Sequence, residues 1–422
     1  MKRAMSALWP SLLSSADVGR PDLCVVSATG TRLTFLDGVE RLCATSGLWN
    51  VPLGYGDQVI AEVIARTAVD NSYASVFRYE SVEAREAANQ LIELCGPDHF
   101  KKIFFSTSGG AANDMAMKLV RQVQALRGYP QKKMVVGLQG SYHGLTHGAF
   151  ALTGEELGQP AYGIDRRLVR HVDSQCPEQL SELLSRTSDQ IAAVVVEPLS
   201  GSGTIPLSDE FLAVLAESRE RHGFVLVADE VATGFARTGP MFASQEWPVP
   251  PDLLIMSKAL TNGTCAAAAI AVSDEIARDF DARDAVLMHA ETQAGTAITC
   301  AAIIATLSRL QSIDAESRVR ALESELVEGL DDVVQDVPGA ATHNGRGAFH
   351  TLSLVDSRGK SIQQSLVCEV VDFVRREGVV VHPGLHGIQI VPGYLYTVSD
   401  IAELFGAIRR GLTAWYEQKE TA

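Results

Sequence analysis

A lysine at the end of an apolar run is the first residue of this sequence that could do covalent chemistry. Lys258 closes the segment "DLLIMSK", and the chain then turns toward Gly263. Ordering a lysine side chain costs roughly 2 kcal/mol of rotamer entropy, and its charge resists removal from water. Taken alone, Lys258 is best explained as a surface residue that ends a strand. The alternative is a lysine kept there as a nucleophile, and the rest of the chain decides between the two.

Several other apolar runs alternate with helical stretches. The runs are continuous rather than alternating, which is typical of strands buried on both faces of a parallel sheet. They are "KKIFFS" (101–106), "KMVVGL" (133–138), "IAAVVVEP" (191–198), "FVLVADE" (224–230), "DLLIMSK" (252–258) and "AAAAIAV" (266–272). Helical periodicity is clearest in 58–71 and 82–96. The alternation predicts an α/β fold with a mostly parallel sheet.

Ligands of such sheets bind beyond the carboxyl ends of the strands. At those ends this chain has two loops, "STSGGAAN" and "SYHG", and three charged residues, Glu197, Asp229 and Lys258. A glycine turn before a helix offers free backbone N–H groups to a phosphate. A phosphate-binding loop, an aromatic ring, two acids and a lysine are therefore expected in one crevice, which favours a reactive role for Lys258.

The change of texture along the chain predicts two domains. Residues 58–310 carry the strand-helix alternation and are assigned to a large α/β domain. From 311 to 422 amphipathic helices and short strands such as "AFHTLSLVD" replace it. We assign 311–422 to a smaller domain that residues 1–57 complete.

The bulk composition excludes several classes of function. The formal net charge of −15 argues against a nucleic-acid partner, and no apolar run approaches the length of a membrane span. The seven cysteines are spread singly, which is typical of reduced cytosolic thiols rather than a disulfide frame or a zinc site. The basic start of the chain resembles a secretory signal only weakly, because Pro10 and several serines interrupt its apolar run. A cytoplasmic location is expected.

From about residue 34 to its end, the sequence resembles the class III aminotransferases, which are pyridoxal-phosphate (PLP) enzymes of fold type I. The resemblance is strongest in "VADEVATGFARTG" (227–239), "PDLLIMSKALTNG" (251–263) and "HAETQAGTAITCAA" (289–302). These motifs are specific together, in this order and spacing, and weak singly. The resemblance implies PLP as cofactor and a large, mostly parallel-sheet domain with a smaller α+β domain built from both chain ends.

The resemblance gives roles to five residues at the strand ends. Lys258 matches the lysine that bonds covalently to PLP and later moves the substrate proton, a task that needs an amine neutral near pH 7. Asp229 matches the acid that pairs with the pyridine nitrogen, so that the ring can accept electrons. Val231 and Tyr142 match the side chains on the two ring faces. Glu197 matches an acid that lies near the phenolic oxygen or orients its neighbours.

Two neighbouring residues have open roles. Glu230 follows Asp229 and is expected on the opposite side of the strand, in a structural pair. The Asp-Glu doublet as a metal site is a second option, but no other residues of metal-ligand spacing support it. His143 could be catalytic, although a histidine buried at such a turn is more often structural.

The phosphate turn departs from the family pattern. Ser108, Gly109 and Gly110 match the turn, where backbone N–H groups and a helix dipole face the phosphate. The family usually has Ser or Thr and then Glu where this chain has Gly110 and Ala111. We expect one hydroxyl contact to the phosphate to be lost, so that backbone amides carry more of the binding.

A threonine implies a partner subunit. Thr292 matches the residue that reaches the phosphate from the other subunit of a dimer, so a homodimer with shared sites is expected. The next residue is usually aromatic and is here Gln293, and the family Asn-Pro pair is Thr296-Ala297. The role of Thr292 survives these changes, whereas the shape of its loop is open.

The substrate side of the sequence is less conventional. Trp49, in "SGLWNVPLGYG", resembles the pocket aromatic of the amine and omega-amino acid branch, with a core Trp of the small domain as the equal alternative. The family usually places an arginine before an apolar residue and Pro-Pro, where it binds a substrate carboxylate in bidentate fashion. This chain has "GIQIVPGYLYT", with Gln389 in place of the arginine.

A neutral amide cannot replace such an ion pair, which is worth roughly 1.5 to 3 kcal/mol. At least one substrate is therefore expected to lack a carboxylate at this place. The upstream position where the amine branch sometimes has a mobile arginine is His382-Pro383. Arg346 and Arg166-Arg167 are unplaced, and a shifted alignment could make one of them the missing arginine.

Three functions stay open on the sequence. The first is an aminotransferase for an amine and a ketone or aldehyde, such as an aminated sugar, a polyketide or a peptide with a ketone at its C-terminus. The last resembles the natural-product branch of daptide-type peptide aminotransferases. The second is an aminomutase or racemase on the same scaffold. The third is an inactive PLP-binding partner protein, against which intact Lys258, Asp229 and Tyr142 argue.

Overall fold

A seven-stranded sheet forms the centre of the fold in the computed structural model, which describes residues 7–420. Its strands, numbered along the whole chain, are β4 Phe100–Ser106, β5 Met134–Leu138, β6 Val169–Val172, β7 Ile191–Val196, β8 Val225–Asp229, β9 Leu253–Met256 and β10 Ala268–Ser273. The other described strands are β1 Val25–Thr29, β2 Arg32–Phe35, β3 Glu40–Cys43, β11 Ala340–Arg346, β12 Phe349–Leu354, β13 Val379–Val380, β14 His382–Pro383 and β15 Gly387–Ile390.

The described α-helices are also numbered along the whole chain. We number them α1 Gln58–Asp70, α2 Val82–Cys95, α3 Gly109–Leu126, α4 His147–Leu152, α5 Glu178–Thr187, α6 Asp209–His222, α7 Asp274–Asp281, α8 Ala297–Ser312, α9 Ala315–Asp336, α10 Gln364–Arg376 and α11 Val398–Glu420. A short left-handed turn, Ser46–Trp49, has positive φ at all four residues. Such a turn is costly for residues other than glycine.

The large sheet is mostly parallel, as the sequence predicts. Its order is β4-β10-β9-β8-β7-β5-β6, and only β10 runs antiparallel to its neighbours. Strands β5, β7, β8, β9 and β10 are buried along their whole length, which explains their continuous apolar sequences. The sequence did not predict β6, because Arg170 and His171 interrupt its apolar pattern.

Separate hydrophobic clusters pack on the two sheet faces. Helix α3 contributes Met115, Leu119 and Val123 to one cluster with alternate side chains of the central strands. Helices α5 and α6 contribute residues such as Leu184 and Phe211 to the other. Because both faces are covered, polar chemistry is confined to the edge where the strands end.

The chain divides into two compact units. The larger contains Gln58–Glu323 and Asn344–His350, and the smaller contains the described residues up to Asp57, Ser324–His343 and the chain from Thr351 onward. The smaller unit has two four-stranded sheets, β1-β2-β3-β13 and β11-β12-β15-β14. Strand β13 pairs in parallel with β3, so both ends of the chain build this unit. Residues 1–6 of the predicted N-terminal segment lie outside the described residues.

Candidate active site

Lys258 lies directly after β9, at the start of a 3-10 turn. Its φ is 42°, a left-handed conformation that is strained for a residue with a side chain and often occurs at functional sites. The preceding residue anchors the turn, since Ser257 Oγ donates to the carbonyl of Ala267 at 2.6 Å. Burial lowers the pKa of Lys258 to about 8, an effect that the charges of Glu197 and Asp229 oppose and that of Arg237 reinforces. The amine can therefore be neutral close to physiological pH.

Asp229 ends β8 and is 3% exposed. Its carboxylate is fixed by donors from three segments: Asn113 Nδ2 at 2.8 Å, His143 Nδ1 at 2.7 Å and the backbone N–H of Val231 at 3.1 Å. Such a carboxylate is held in one orientation and can face a protonated nitrogen of a ligand. Asn113 is not among the residues predicted from the sequence; it lies one helical turn beyond Gly109, and only the folded structure brings it to Asp229.

His143 is buried and acts on Asp229. Burial opposes its charge, but the hydrogen bond with Asp229 and the charges of Asp229 and Glu197 raise the pKa of His143. Its Nε2 atom has no hydrogen-bond partner within residues 7–420. Through its hydrogen bond His143 helps to fix the Asp229 carboxylate, which agrees with a structural role.

Glu230 serves the backbone around it. It is fully buried and accepts hydrogen bonds from Thr233 Oγ1 at 2.6 Å, Ser244 N at 2.6 Å and Ala243 N at 3.1 Å. Within the described part of the chain, no group of three or more His, Cys, Asp or Glu residues could hold a metal ion.

The predicted phosphate turn lies at the N-terminus of α3. Ser108 is the N-cap residue, and its Oγ accepts the N–H of Ala111 at 3.2 Å. A Cβ on Gly109 would lie 3.0 Å from a methyl of Val231, and a Cβ on Gly144 would lie 2.6 Å from the Cα of Gly110. Glycines thus let three loops approach closely around the first turn of the helix, where backbone N–H groups are free for an anion.

Tyr142 follows β5, and Glu197 follows the neighbouring strand β7. The backbone N–H of Tyr142 donates to Glu197 Oε2 at 3.0 Å, while the Tyr142 side chain is 39% exposed. Glu197 is 5% exposed, and burial raises its pKa to about 7. The charge of Glu197 raises the pKa of Lys258 and the charge of Lys258 lowers that of Glu197, so the protonation of the acid depends on that of the amine.

Thr292 is exposed on a loop that hydrogen bonds within the chain hold in place. Tyr73 Oη donates to the Thr292 carbonyl at 3.0 Å. The adjacent Glu291 accepts hydrogen bonds from Ser106 Oγ at 2.6 Å and from Thr107 N at 3.1 Å, just before the phosphate turn. No hydrogen bond to the Thr292 hydroxyl forms within residues 7–420.

The predicted substrate residues lie together in the smaller unit. The rings of Trp49 and His382 are 5.3 Å apart, edge to face, and His382 pairs with Gln389 across β14 and β15. Gln389 is 1% exposed. In the larger unit, Arg346 pairs with Glu246 at 2.5 Å. 

Two further arginines that the sequence left unplaced have partners. Arg167 pairs with Asp165 at 2.7 Å, and Arg166 Nη2 donates to the carbonyl of Thr153 at 2.9 Å. Arg346, Arg166 and Arg167 therefore all have partners within the described structure. None of the three is assigned to a substrate carboxylate.

The residues of the larger unit fit pyridoxal phosphate. Lys258 offers an amine of lowered pKa, Asp229 offers a carboxylate fixed by three donors, and the glycines of the turn leave backbone N–H groups for a phosphate. Val231 packs against Gly109, and Tyr142 follows the strand next to β7. The chain thus has a group for the aldehyde, the ring nitrogen and the phosphate of this cofactor.

Comparison with known proteins supports the same cofactor. A family model described as "Aminotransferase class-III" matches residues 14–412. An omega-aminotransferase of Caulobacter vibrioides is 31% identical over 431 residues, with 97% of both chains covered. An adenosylmethionine-8-amino-7-oxononanoate aminotransferase of Synechococcus elongatus is 28% identical over 95% of this chain and 97% of its own. The PLP-bound structure of an amine transaminase from an uncultivated Pseudomonas species superposes with a TM-score of 0.93 at 26% identity, covering 98% of this chain and all of the other.

Proposed function

The chain belongs to the class III aminotransferases, and we propose that it moves an amino group from an amine donor to a ketone or aldehyde acceptor. Its cofactor is pyridoxal 5′-phosphate. The observation that carries the proposal is the convergence of Lys258, Asp229 and the phosphate turn at one edge of the sheet.

The chemistry is divided between the cofactor and the chain. When bound, PLP supplies a ring that accepts the electrons released as a substrate amine loses its Cα proton. Lys258, about half of it neutral near pH 8, would take the proton from the substrate Cα and return it to the cofactor carbon that carries the aldehyde. Asp229, oriented by Asn113 and His143, keeps the ring nitrogen protonated. Tyr142 and Val231 would hold the ring from its two faces.

One substrate lacks an α-carboxylate at the place where the family binds it. Gln389 is buried in β15, where the family pattern has an arginine. An amide gives no ion pair, and the three arginines that could have replaced it have partners elsewhere. An aminated sugar, a polyketide or a peptide with a C-terminal ketone fits this requirement, and each belongs to natural-product biosynthesis. The relatives are named for different substrates, so their names do not select among these.

A homodimer with shared sites completes the proposal. Supporting it, Thr292 is exposed and lies on a loop fixed by Tyr73 and Glu291, so its hydroxyl is available to a second subunit. Mixing Lys258→Ala subunits with Thr292→Val subunits tests the arrangement. Hybrid dimers regain part of the activity if Thr292 serves the partner's site, and no recovery after mixing contradicts sharing.

We also place the protein in the cytoplasm. All seven cysteines lie in the described range and none forms a disulfide, as expected for a reducing compartment. None of the helices within residues 7–420 has the length and apolar character needed to cross a membrane.

The experiment that tests the proposed function uses the yellow holoenzyme and matched amines. Alanine and isopropylamine differ by the carboxylate, and each is scored by the conversion of bound PLP to the pyridoxamine form. We expect conversion by the plain amine and weak response to the amino acid, followed by return to PLP with an added ketone. Borohydride reduction and peptide mapping must also place the cofactor on Lys258. Exchange of the Cα proton without net amino transfer would instead indicate racemase or aminomutase chemistry.

A further inference from the structure

Three loops meet beside Tyr142, beyond the carboxyl ends of β5 and β7. The N–H groups of Gly154 and Glu155 both donate to the carbonyl of Ser141, at 2.9 and 3.1 Å. Ser202, from the loop after β7, donates through Oγ to the carbonyl of Gly140 at 2.8 Å. Glu155 is therefore attached to the backbone of the residue that precedes Tyr142.

The loop that carries Glu155 is fixed at its other end as well. Gln159 Nε2 donates to the Glu155 carbonyl at 2.5 Å, and Gln159 Oε1 accepts the N–H of Leu157 at 2.9 Å. A Cβ on Gly154 would lie 2.0 Å from the carbonyl oxygen of Leu138, so no other residue fits there. The position of Glu155 is built by these contacts and is not that of a freely moving surface carboxylate.

The carboxylate of Glu155 has no cationic partner among the residues that the structure describes. Against the effect of burial, the nearby Ser202 hydroxyl lowers the pKa of Glu155, but no Lys, Arg or His within residues 7–420 forms an ion pair with the carboxylate. Burial raises the pKa of Tyr142, and the charges of Glu155 and Glu197 raise it further. Burial likewise raises the pKa of Glu155, so the protein holds this acid at a cost.

The location of Glu155 separates it from the reacting centre. The charges that act on Lys258 are those of Glu197, Asp229 and Arg237, and Glu155 is not among them. The charge of Glu155 instead acts on Tyr142, whose side chain is partly exposed. A cation there belongs to a part of the substrate distant from the amine that reacts.

We infer that Glu155 binds a second ammonium group of the substrate, so that the preferred amine donor is a carboxylate-free diamine. This inference rests on the proposed function, because it assigns the far end of the donor in the same site. The formal net charge of −15 favours the approach of such a dication, and the neutral Gln389 gives no compensating preference for an anion.

A pair of donors with equal carbon chains tests the inference on the holoenzyme. Cadaverine and pentylamine differ only in the second amine, and rapid-mixing absorbance gives an apparent dissociation constant and a limiting rate for each half-reaction. We expect wild-type enzyme to bind cadaverine roughly tenfold or more tightly than pentylamine, from the strength of charged hydrogen bonds. The limiting rates should differ much less, because the second ammonium lies away from the reacting atoms.

Glu155→Gln keeps the size of the side chain and removes its charge, so the preference for cadaverine should fall about tenfold. Glu155→Asp, with a shorter carboxylate, should keep part of it, which separates charge from folding effects. Glu156→Gln is the matched control, since this exposed neighbour loses the same charge.

The outcomes separate the two claims. Equal binding of both amines by wild-type enzyme, or an unchanged preference in Glu155→Gln, overturns the inference while amino transfer stands. Failure of every amine to convert the bound PLP overturns the proposed function, and the inference falls with it. Loss of preference in both Glu155→Gln and Glu156→Gln means that general charge attraction, not Glu155, selects the dication.

Discussion

The protonation of Lys258 sets how fast the apoprotein captures PLP, because only the neutral amine attacks the aldehyde. With a pKa of about 8, roughly a tenth of the amine is neutral at pH 7, compared with well under a thousandth for an ordinary lysine. The capture rate should therefore rise with pH through about 8 and level off about one unit above it. Below that range the ammonium form predominates and capture slows.

Replacing Glu197 should change the pKa of Lys258. Above a pH of about 7 Glu197 is ionised, and its charge stabilises the Lys258 ammonium, so it raises the pKa of Lys258. Glu197→Gln removes this effect and should move the midpoint of the capture profile to lower pH. The rate at pH 7 can rise by at most about tenfold, since the neutral fraction grows from roughly a tenth toward one.

The assay follows the growth of the absorbance of lysine-bound PLP after mixing with the apoprotein, at a series of pH values. The midpoint is the quantity compared, because it does not depend on any change in maximal rate. Glu220→Gln, which removes one exposed charge from α6, is the control and should leave the midpoint unchanged. A wild-type midpoint near 10, or a shift to higher pH in Glu197→Gln, would refute the reasoning.

Four further substitutions have defined outcomes. Asp229→Asn should keep the fold, checked by circular dichroism, but lower turnover by about 100-fold or more, because an amide cannot hold the ring nitrogen protonated; a near wild-type rate would mean that another acid faces the nitrogen. Gly110→Ser should bind PLP about tenfold more tightly by adding a hydroxyl to the phosphate turn, since its Cβ would meet neighbours at 3.4 Å or more, whereas Gly144→Ala should weaken binding because its Cβ would lie 2.6 Å from Gly110. Fluorescence titration with PLP measures both, and an equal effect of the two would contradict the contact argument. Gln389→Arg should destabilise the protein by about 3 kcal/mol or more through an unpaired buried charge, measured by thermal unfolding, and a carboxylate-bearing substrate should restore part of that stability; no loss of stability would show that the guanidinium finds another partner.

The sequence predicts the large sheet well because burial on both faces leaves a simple signal. The run 101–106 corresponds to β4 Phe100–Ser106, and the run 191–198 contains β7 Ile191–Val196. Strand β6 escapes the same argument, since it lies at the edge of the sheet and carries Arg170 and His171. An edge strand needs apolar residues on fewer sides, so its pattern is weaker.

Contacts between distant parts of the chain could not be predicted from local pattern. Asn113 donates to Asp229 from 116 positions away, and nothing in the sequence around Asn113 reports that contact. The same holds for Glu155, which reaches the surroundings of Tyr142 through a loop without a recognisable motif. Residue types at strand ends indicate which groups lie at the edge of the sheet, but the side chains that orient them come from helices and loops placed by tertiary packing.

The roles proposed for Gln389 and Glu155 favour the same kind of substrate. The change to Gln389 removes the guanidinium that would hold a substrate anion, and Glu155 adds a carboxylate that only a cation can neutralise. The carboxylate of an α-amino acid has no ion pair at Gln389, and it gains nothing from Glu155. A diamine has no carboxylate that needs an arginine in place of Gln389. Its second ammonium gains a charged hydrogen bond to Glu155. Because Lys258 and Asp229 are retained, these changes act on which amine binds and not on the transfer itself. Combining Gln389→Arg with Glu155→Gln should therefore shift donor preference from diamine toward amino acid further than either change alone, and a double variant that still prefers the diamine would show that the discriminating charge lies elsewhere.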